Sequence, residues 1–232
     1  MDGELKCEFC KNIYDLSELR NRSRIFRDRE EAGSVLAGML LDYGDSDALV
    51  LAIPAGGVPV AASLARELEL DWDMAVVSKI TLPWNTEVGY GAVAFEGTVK
   101  LNNELVSQIG LTLEEIEEDV EEAKRKVQRR FKKFRGDKPF PNLKKRPVIL
   151  VDDGVASGYT MLVAVEALKN KGATNIIIAV PTAHLKALER VAEKVNRVYC
   201  ANIRGGWGFA VADSYQTWYD VEEEVVMNIL KP

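Results

Sequence analysis

The sequence predicts an α/β fold: a mostly parallel central sheet covered by helices on both faces. Three observations predict it. Short continuous apolar runs, "LVLAI", "VILV" and "NIIIAV", have the length and β-branched content of strands buried on both sides. Between them lie segments whose apolar residues recur at helical spacing. Turn residues separate one kind from the other, and such alternation implies crossover connections rather than hairpins.

The first element is a helix in "FRDREEAGSVLAGMLLDYG". Ala32, Val35, Leu36, Met39 and Leu40 fall on one face, Asp28 stands at the N-cap position, and Gly44 ends the segment. "DALVLAIPAGGVPVAASLARELEL" then reads as a buried strand, a Pro-Ala-Gly-Gly loop, and a helix with Val60, Ala61, Leu64 and Leu68 inward. "DMAVVSKI" reads as one further strand, and "TLPWNTEVGYGAVAFEGTVKLN" as a hairpin excursion rich in turn residues. "LTLEEIEEDVEEAKRKVQRRFKKFRG" is a long helix, capped by Thr112 with Glu115 closing a capping box. Its acids precede its bases, as the helix dipole favours; pairs such as Glu121 and Arg125 fit a solvated face better than a nucleic-acid contact. "RPVILVDDG", "TNIIIAVPTAH" and "VNRVYCANI" supply three more strands, with helices beginning near Gly158 and His184. The tail "RGGWGFAVADSYQTWYDVEEEVVMNIL" gathers aromatic residues before a final amphipathic helix.

Composition narrows the function. A chain of 232 residues with 47% hydrophobic content has enough material for a well-buried core. Lys+Arg 30 against Asp+Glu 36 gives a net charge of −6, which argues against nucleic acid and anionic membranes as partners. No apolar run reaches the roughly 20 residues of a membrane span, and "MDGELKCEFC" lacks a signal-peptide pattern, so the expected compartment is the cytoplasm. The single histidine, His184, excludes any mechanism that needs two. Cys7 and Cys10 form one C-x-x-C, half of a four-ligand zinc set; plain thiols are the reading preferred over a metal shared between chains.

The stretch "VILVDDGVASGYTM", residues 148 to 161, concentrates the chemistry. In a parallel sheet, ligands bind beyond the carboxyl ends of strands, where Asp152 and Asp153 stand. The following Gly154, Val155, Ala156, Ser157, Gly158 and Thr160 offer backbone N–H groups, hydroxyls and a helix N-terminus suited to a phosphate. Two carboxylates would repel that phosphate unless they face a vicinal diol or a divalent cation. A sugar phosphate meets both requirements, whereas an Asp-Gly turn with a helix cap is the plainer alternative. No G-x-G-x-x-G follows a strand and no Gly-Lys-Ser/Thr occurs, which disfavours dinucleotide and P-loop sites. An aspartyl phosphotransfer site with Asp152 as nucleophile is disfavoured too, since Asp152 stands neither near the first strand nor within an Asp-x-Asp pattern.

This motif resembles the phosphoribosyl diphosphate signature of type I phosphoribosyltransferases. "FRDREEAG", "IPAGGVPVA", "GYGAV" and "FAVADSYQTWYDVEEEVV" are similar, in order, to a subfamily of uncharacterised members in bacteria and archaea, covering most of residues 25 to 230. The resemblance implies an extension over 1–24, a phosphoribosyltransferase core over 25–204 with a flexible loop, and a hood with the C-terminal helix over 205–232. It implies transfer of a 5-phosphoribosyl group from phosphoribosyl diphosphate (PRPP) to a nitrogen acceptor, a purine or pyrimidine base, with release of diphosphate. Mg²⁺ would be the cofactor, reached by Asp152 and Asp153 indirectly through PRPP, and the protein would be a homodimer.

The remaining site residues follow from the same resemblance. Asp152, Asp153 and Lys79 are the catalytic candidates, although a lysine at a strand end can equally snorkel to solvent. Ala55, Gly56 and Gly57 match the diphosphate loop, where related members often carry Arg in place of Ala55. Glu87, Gly89 and Gly91 fall in the flexible loop. Phe209 and Trp207 are candidates to stack on the base, or simply to pin the last helix. The departure at Ala55 supports a rival reading, a non-catalytic sensor of PRPP or a nucleotide on the same fold.

Overall fold

The computed structural model describes residues 10–206 and 208–231. Cys7 and Trp207 lie outside the described residues, as do the side chains of Cys10 and Glu87.

A 3-10 turn over Cys10–Asn12 leads into β1 (Ile13–Asp15), and a second such turn spans Ser17–Leu19. Then follow α1 (Arg29–Met39), β2 (Leu49–Ala52), α2 (Gly57–Glu67), β3 (Asp71–Met74), β4 (Val77–Leu82), β5 (Asn85–Ala94) and β6 (Val99–Leu101). α3 (Asn103–Ile109), α4 (Leu113–Arg135), β7 (Pro147–Val151), α5 (Tyr159–Asn170), β8 (Asn175–His184), α6 (Leu185–Ala192), β9 (Arg197–Arg204) and α7 (Glu223–Ile229) complete the fold. Six strands form one parallel sheet in the order β1-β9-β8-β7-β2-β3, and β4-β5-β6 form a small antiparallel sheet.

Alternation along the strands divides the core in two. Val50, Ala52, Ile149, Val151, Ile177 and Ala179 face α1 and α2, while Leu49, Leu51, Val148, Leu150, Ile176 and Ile178 face α5 and α6. Successive side chains of a strand point to opposite faces, so continuous apolar runs are what a doubly covered sheet requires.

The predicted caps are present. The Asp28 carboxylate accepts from the N–H of Glu31 at 2.9 Å, and Thr112 and Glu115 close the capping box of α4. α1 ends at Met39, earlier than the Gly44 boundary, because residues Leu41–Tyr43 tighten into a 3-10 turn that Gly44 closes. "DMAVVSKI" is not one strand. Ala75 donates to the Ala52 carbonyl at 2.9 Å, after which the chain leaves the parallel sheet, and Val77 pairs with Ala94 in the antiparallel one. All of Met74–Val77 is buried, so the apolar run serves two cores and carries no mark of the corner between them. Cys200 lies inside β9, fully buried, and His184 caps the start of α6 as expected.

Candidate active site at the switch point of the sheet

Strand order alone selects one end of the sheet. From β2 the chain moves outward to β3 through α2 on one face, whereas from β7, on the other side of β2, it moves the opposite way through α5 on the other face. The loops that leave β2 and β7 therefore diverge, and a crevice opens between them. A cleft of about 650 Å³ occupies this place. Its walls include Pro54, Ala55 and Gly56 after β2, Asp152 to Gly158 after β7, Thr160 and Met161 of α5, and Lys79 of β4.

The two loops touch. A Cβ on Gly56 would overlap the Asp153 carboxylate, and one on Gly57 would stand 2.9 Å from Cα of Asp152. Glycine at these positions is thus a packing requirement of the carboxylates, and the Gly57 N–H is spent on the Ile53 carbonyl at 3.1 Å. The Pro54–Ala55 peptide is cis.

Asp152 accepts the N–H of Asp153 on Oδ1 at 2.9 Å. Burial first, and the charge of Asp153 second, push the Asp152 carboxyl well above the usual carboxylate range. Burial raises Asp153 also, opposed by Arg29 and by Lys79. Arg29 binds Asp153 Oδ2 through Nε and Nη2, both at 2.9 Å, and donates from Nη1 to the Tyr219 carbonyl at 3.0 Å. Its guanidinium carbon lies 3.9 Å from the Trp218 ring centre. Tyr215 completes the clamp, its hydroxyl donating to the Asp153 carbonyl at 2.6 Å.

Sequence reasoning missed Arg29. It occupies the first position of α1, where the helix dipole disfavours a cation, and that misplaced charge was the available signal. Only the fold brings in Tyr215, Trp218 and Tyr219 from the far end of the chain.

The loop from Gly154 to Thr160 is held by its backbone. Val155 donates to the Thr182 carbonyl and accepts from His184, both at 2.9 Å, and the Ser157 carbonyl accepts from Arg190 at 2.9 Å. Gly158 turns into α5 with φ 84°, a left-handed conformation that favours glycine, and no side chain caps the helix. The first N–H groups of α5 are thereby left for a ligand, with the Thr160 hydroxyl side chain in the same cleft.

Most predicted residues converge: Asp152 to Gly158, Thr160, Ala55, Gly56 and Lys79 line one cleft. Phe209 does not line it. That ring lies edge-on to His184, 5.8 Å between centres, with the Arg204 guanidinium 5.1 Å from it. The aromatic side chain of the cleft wall is Trp218, and Lys126 and Arg130 of α4 enter from an element to which no site role had been given.

Known proteins resemble the chain over most of its length. A family model described as phosphoribosyl transferase domain matches residues 24–214. A Mycobacterium tuberculosis protein, provisionally named a phosphoribosyl transferase in strains H37Rv and CDC 1551, is 32% identical over 209 residues, 89% of this chain. The chain spans about half (46%) of that relative's length. A crystal structure of a Thermus thermophilus protein superposes with a TM-score of 0.70 at 32% identity, covering 88% of this chain and 97% of that one. The match extends over nearly the whole fold and does not depend on the Asp-Asp-Gly motif alone: the chain belongs to the phosphoribosyl transferase family.

Proposed function

We propose that the protein transfers a 5-phosphoribosyl group from PRPP to a nitrogen of a purine or pyrimidine base, releasing diphosphate with inversion at the anomeric carbon. One observation carries the reading. Adjacent carboxylates, Asp152 and Asp153, share a cleft with the uncapped start of α5, at the switch point of a parallel sheet. In this assignment the 5′-phosphate lies in the loop from Gly154 to Thr160 and the ribose diol donates to the two carboxylates. The diphosphate lies toward Ala55, Gly56 and Lys79. Trp218, in place of Phe209, is the aromatic surface available to a base.

The donor set suits Mg²⁺ as a cofactor held through the donor. Among the described residues no three His, Cys, Asp or Glu side chains converge. An ion that favours hard oxygens and keeps its waters would take most ligands from PRPP, beside Asp152 and Asp153. Once bound, it supplies charge neutralisation for the leaving diphosphate. The chain's own part is to fix both ends of the donor, orient the ribose and exclude water from an oxocarbenium-like transition state.

The test mixes protein, Mg²⁺, PRPP and a panel of nucleobases and follows diphosphate release. Release with one or a few bases is the expected result. Loss of PRPP binding in Asp152→Asn and Asp153→Asn supports the diol assignment, and unchanged affinity in both overturns it. Intact PRPP binding with no turnover on a broad panel would favour the sensor reading, which Ala55 in the diphosphate loop supports.

A further inference from the structure

We infer that Lys126 of α4 is a diphosphate-binding residue, acting with Lys79 to supply the cationic charge that the loop at Ala55 lacks. The inference rests on the PRPP reading above. The loop after β2 offers the cleft Pro54, Ala55 and Gly56, none of them cationic. A leaving diphosphate is a polyanion and needs cations at its end of the site.

Among the described residues four cationic side chains line the cleft: Arg29, Lys79, Lys126 and Arg130. Two are already engaged. Arg29 is held by Asp153 and the Tyr219 carbonyl, and Arg130 donates from Nε to Glu223 at 2.9 Å. Lys79 and Lys126 make no hydrogen bond or ion pair among the described residues. Both are exposed, and Lys79 stands near enough to the carboxylate pair to oppose, in part, the rise that burial imposes on both carboxyls.

The two lysines belong to one structural unit. Ile116, Ala123 and Val127 of α4 pack in the same core as Ile80, Leu82 and Tyr90 of the antiparallel sheet, and the Tyr90 hydroxyl donates to Asp119 at 2.6 Å. Lys126 stands next to the buried stripe of Ala123 and Val127, one turn before Arg130 on the same helix face. Whatever positions β4 against the cleft therefore positions Lys126 as well. Two uncommitted ammonium groups, one from β4 and one from α4, line the same cleft as the β2 loop and answer the charge of a diphosphate held there.

Titration calorimetry with Mg²⁺ distinguishes this role from that of a solvated surface lysine. The ligands are PRPP, inorganic diphosphate and ribose 5-phosphate, with wild type, Lys126→Ala and Lys126→Arg. Lys126→Ala is expected to weaken PRPP and diphosphate about tenfold, the size of a charge-assisted hydrogen bond, and to leave ribose 5-phosphate unchanged. Lys126→Arg should keep most of the affinity, and added salt should narrow the gap between wild type and Lys126→Ala. Equal effects on PRPP and ribose 5-phosphate, or no effect on either, overturn the inference. If wild type binds neither PRPP nor ribose 5-phosphate, the donor reading itself fails, and Lys126 loses its role with it.

Discussion

Arg29 and Asp153, 124 positions apart in the chain, form one largely buried ion pair in which two guanidinium nitrogens sit 2.9 Å from a single carboxylate oxygen. Arg29 is only 4% exposed, and Trp218, Tyr215 and Tyr219 surround its charge. The pair joins the carboxylate end of the cleft to α1 and to the C-terminal segment.

Removing Arg29 leaves Asp153 half-buried beside Asp152 with its chief counter-charge gone. Arg29→Ala should lower stability by about 3 kcal/mol, the usual cost of breaking one side of a buried pair, read from urea unfolding at neutral pH. Arg29→Lys should recover only part of it, because an ammonium cannot match the fork geometry or the stacking on Trp218.

Asp152 carries a pH dependence of definite sign. Its folded-state pKa lies above its unfolded value, so the native state binds the proton more readily. Its contribution to stability is present below the ordinary Asp value of about 3.9 and is lost as pH rises toward the raised one. Asp152→Asn keeps an oxygen for the Asp153 N–H and removes this loss. The variant should be more stable than wild type at neutral pH, with the difference shrinking as pH falls, in unfolding titrations across that range. Equal stability at all pH values would contradict the burial assigned to the carboxylate.

Gly56 separates the β2 loop from Asp153 by the absence of a side chain. Gly56→Ala should force one loop away from the other, weakening PRPP binding and lowering the melting temperature together. A Gly38→Ala control, where a Cβ meets nothing within 4 Å, should do neither.

Glu223 fastens α7 to α4 through Lys133 at 2.7 Å and Arg130 at 2.9 Å. Hydrogen bonds from these two bases bring its carboxyl down to about 2. The stabilisation is therefore present above the unfolded Glu value and lost as pH falls through that value toward about 2. Because the network is partly solvated, Glu223→Gln should cost about 1 kcal/mol at neutral pH, and less at high salt, by thermal unfolding.

The site was legible in proportion to how local its chemistry is. Asp152 to Thr160 form one contiguous stretch, and a strand end followed by an uncapped helix can be read from nine neighbouring residues. Lys126 escaped because it is one charge within a charged helix, distinguished from its neighbours only by what the fold puts in front of it, and Arg29 had a single local mark, a cation in the first turn of α1. Phe209 and Trp218 had equal claims as aromatic residues of the tail. Which of them lines the cleft depends on the path of the chain after β9, and composition does not record that path.

By itself the sequence determined the doubly covered parallel sheet, the caps at Asp28 and Thr112, and the stretch after β7 that lines the cleft. These rest on period, capping chemistry and residue order, all of which act over a few residues. Tertiary structure alone decided that "DMAVVSKI" turns from one sheet to another, that α1 and the C-terminal aromatics meet at Asp153, and that α4 lends cations to the cleft. Those contacts join residues far apart in the chain, and they are selected by packing and charge pairing in the finished fold, for which a single sequence holds no local signature.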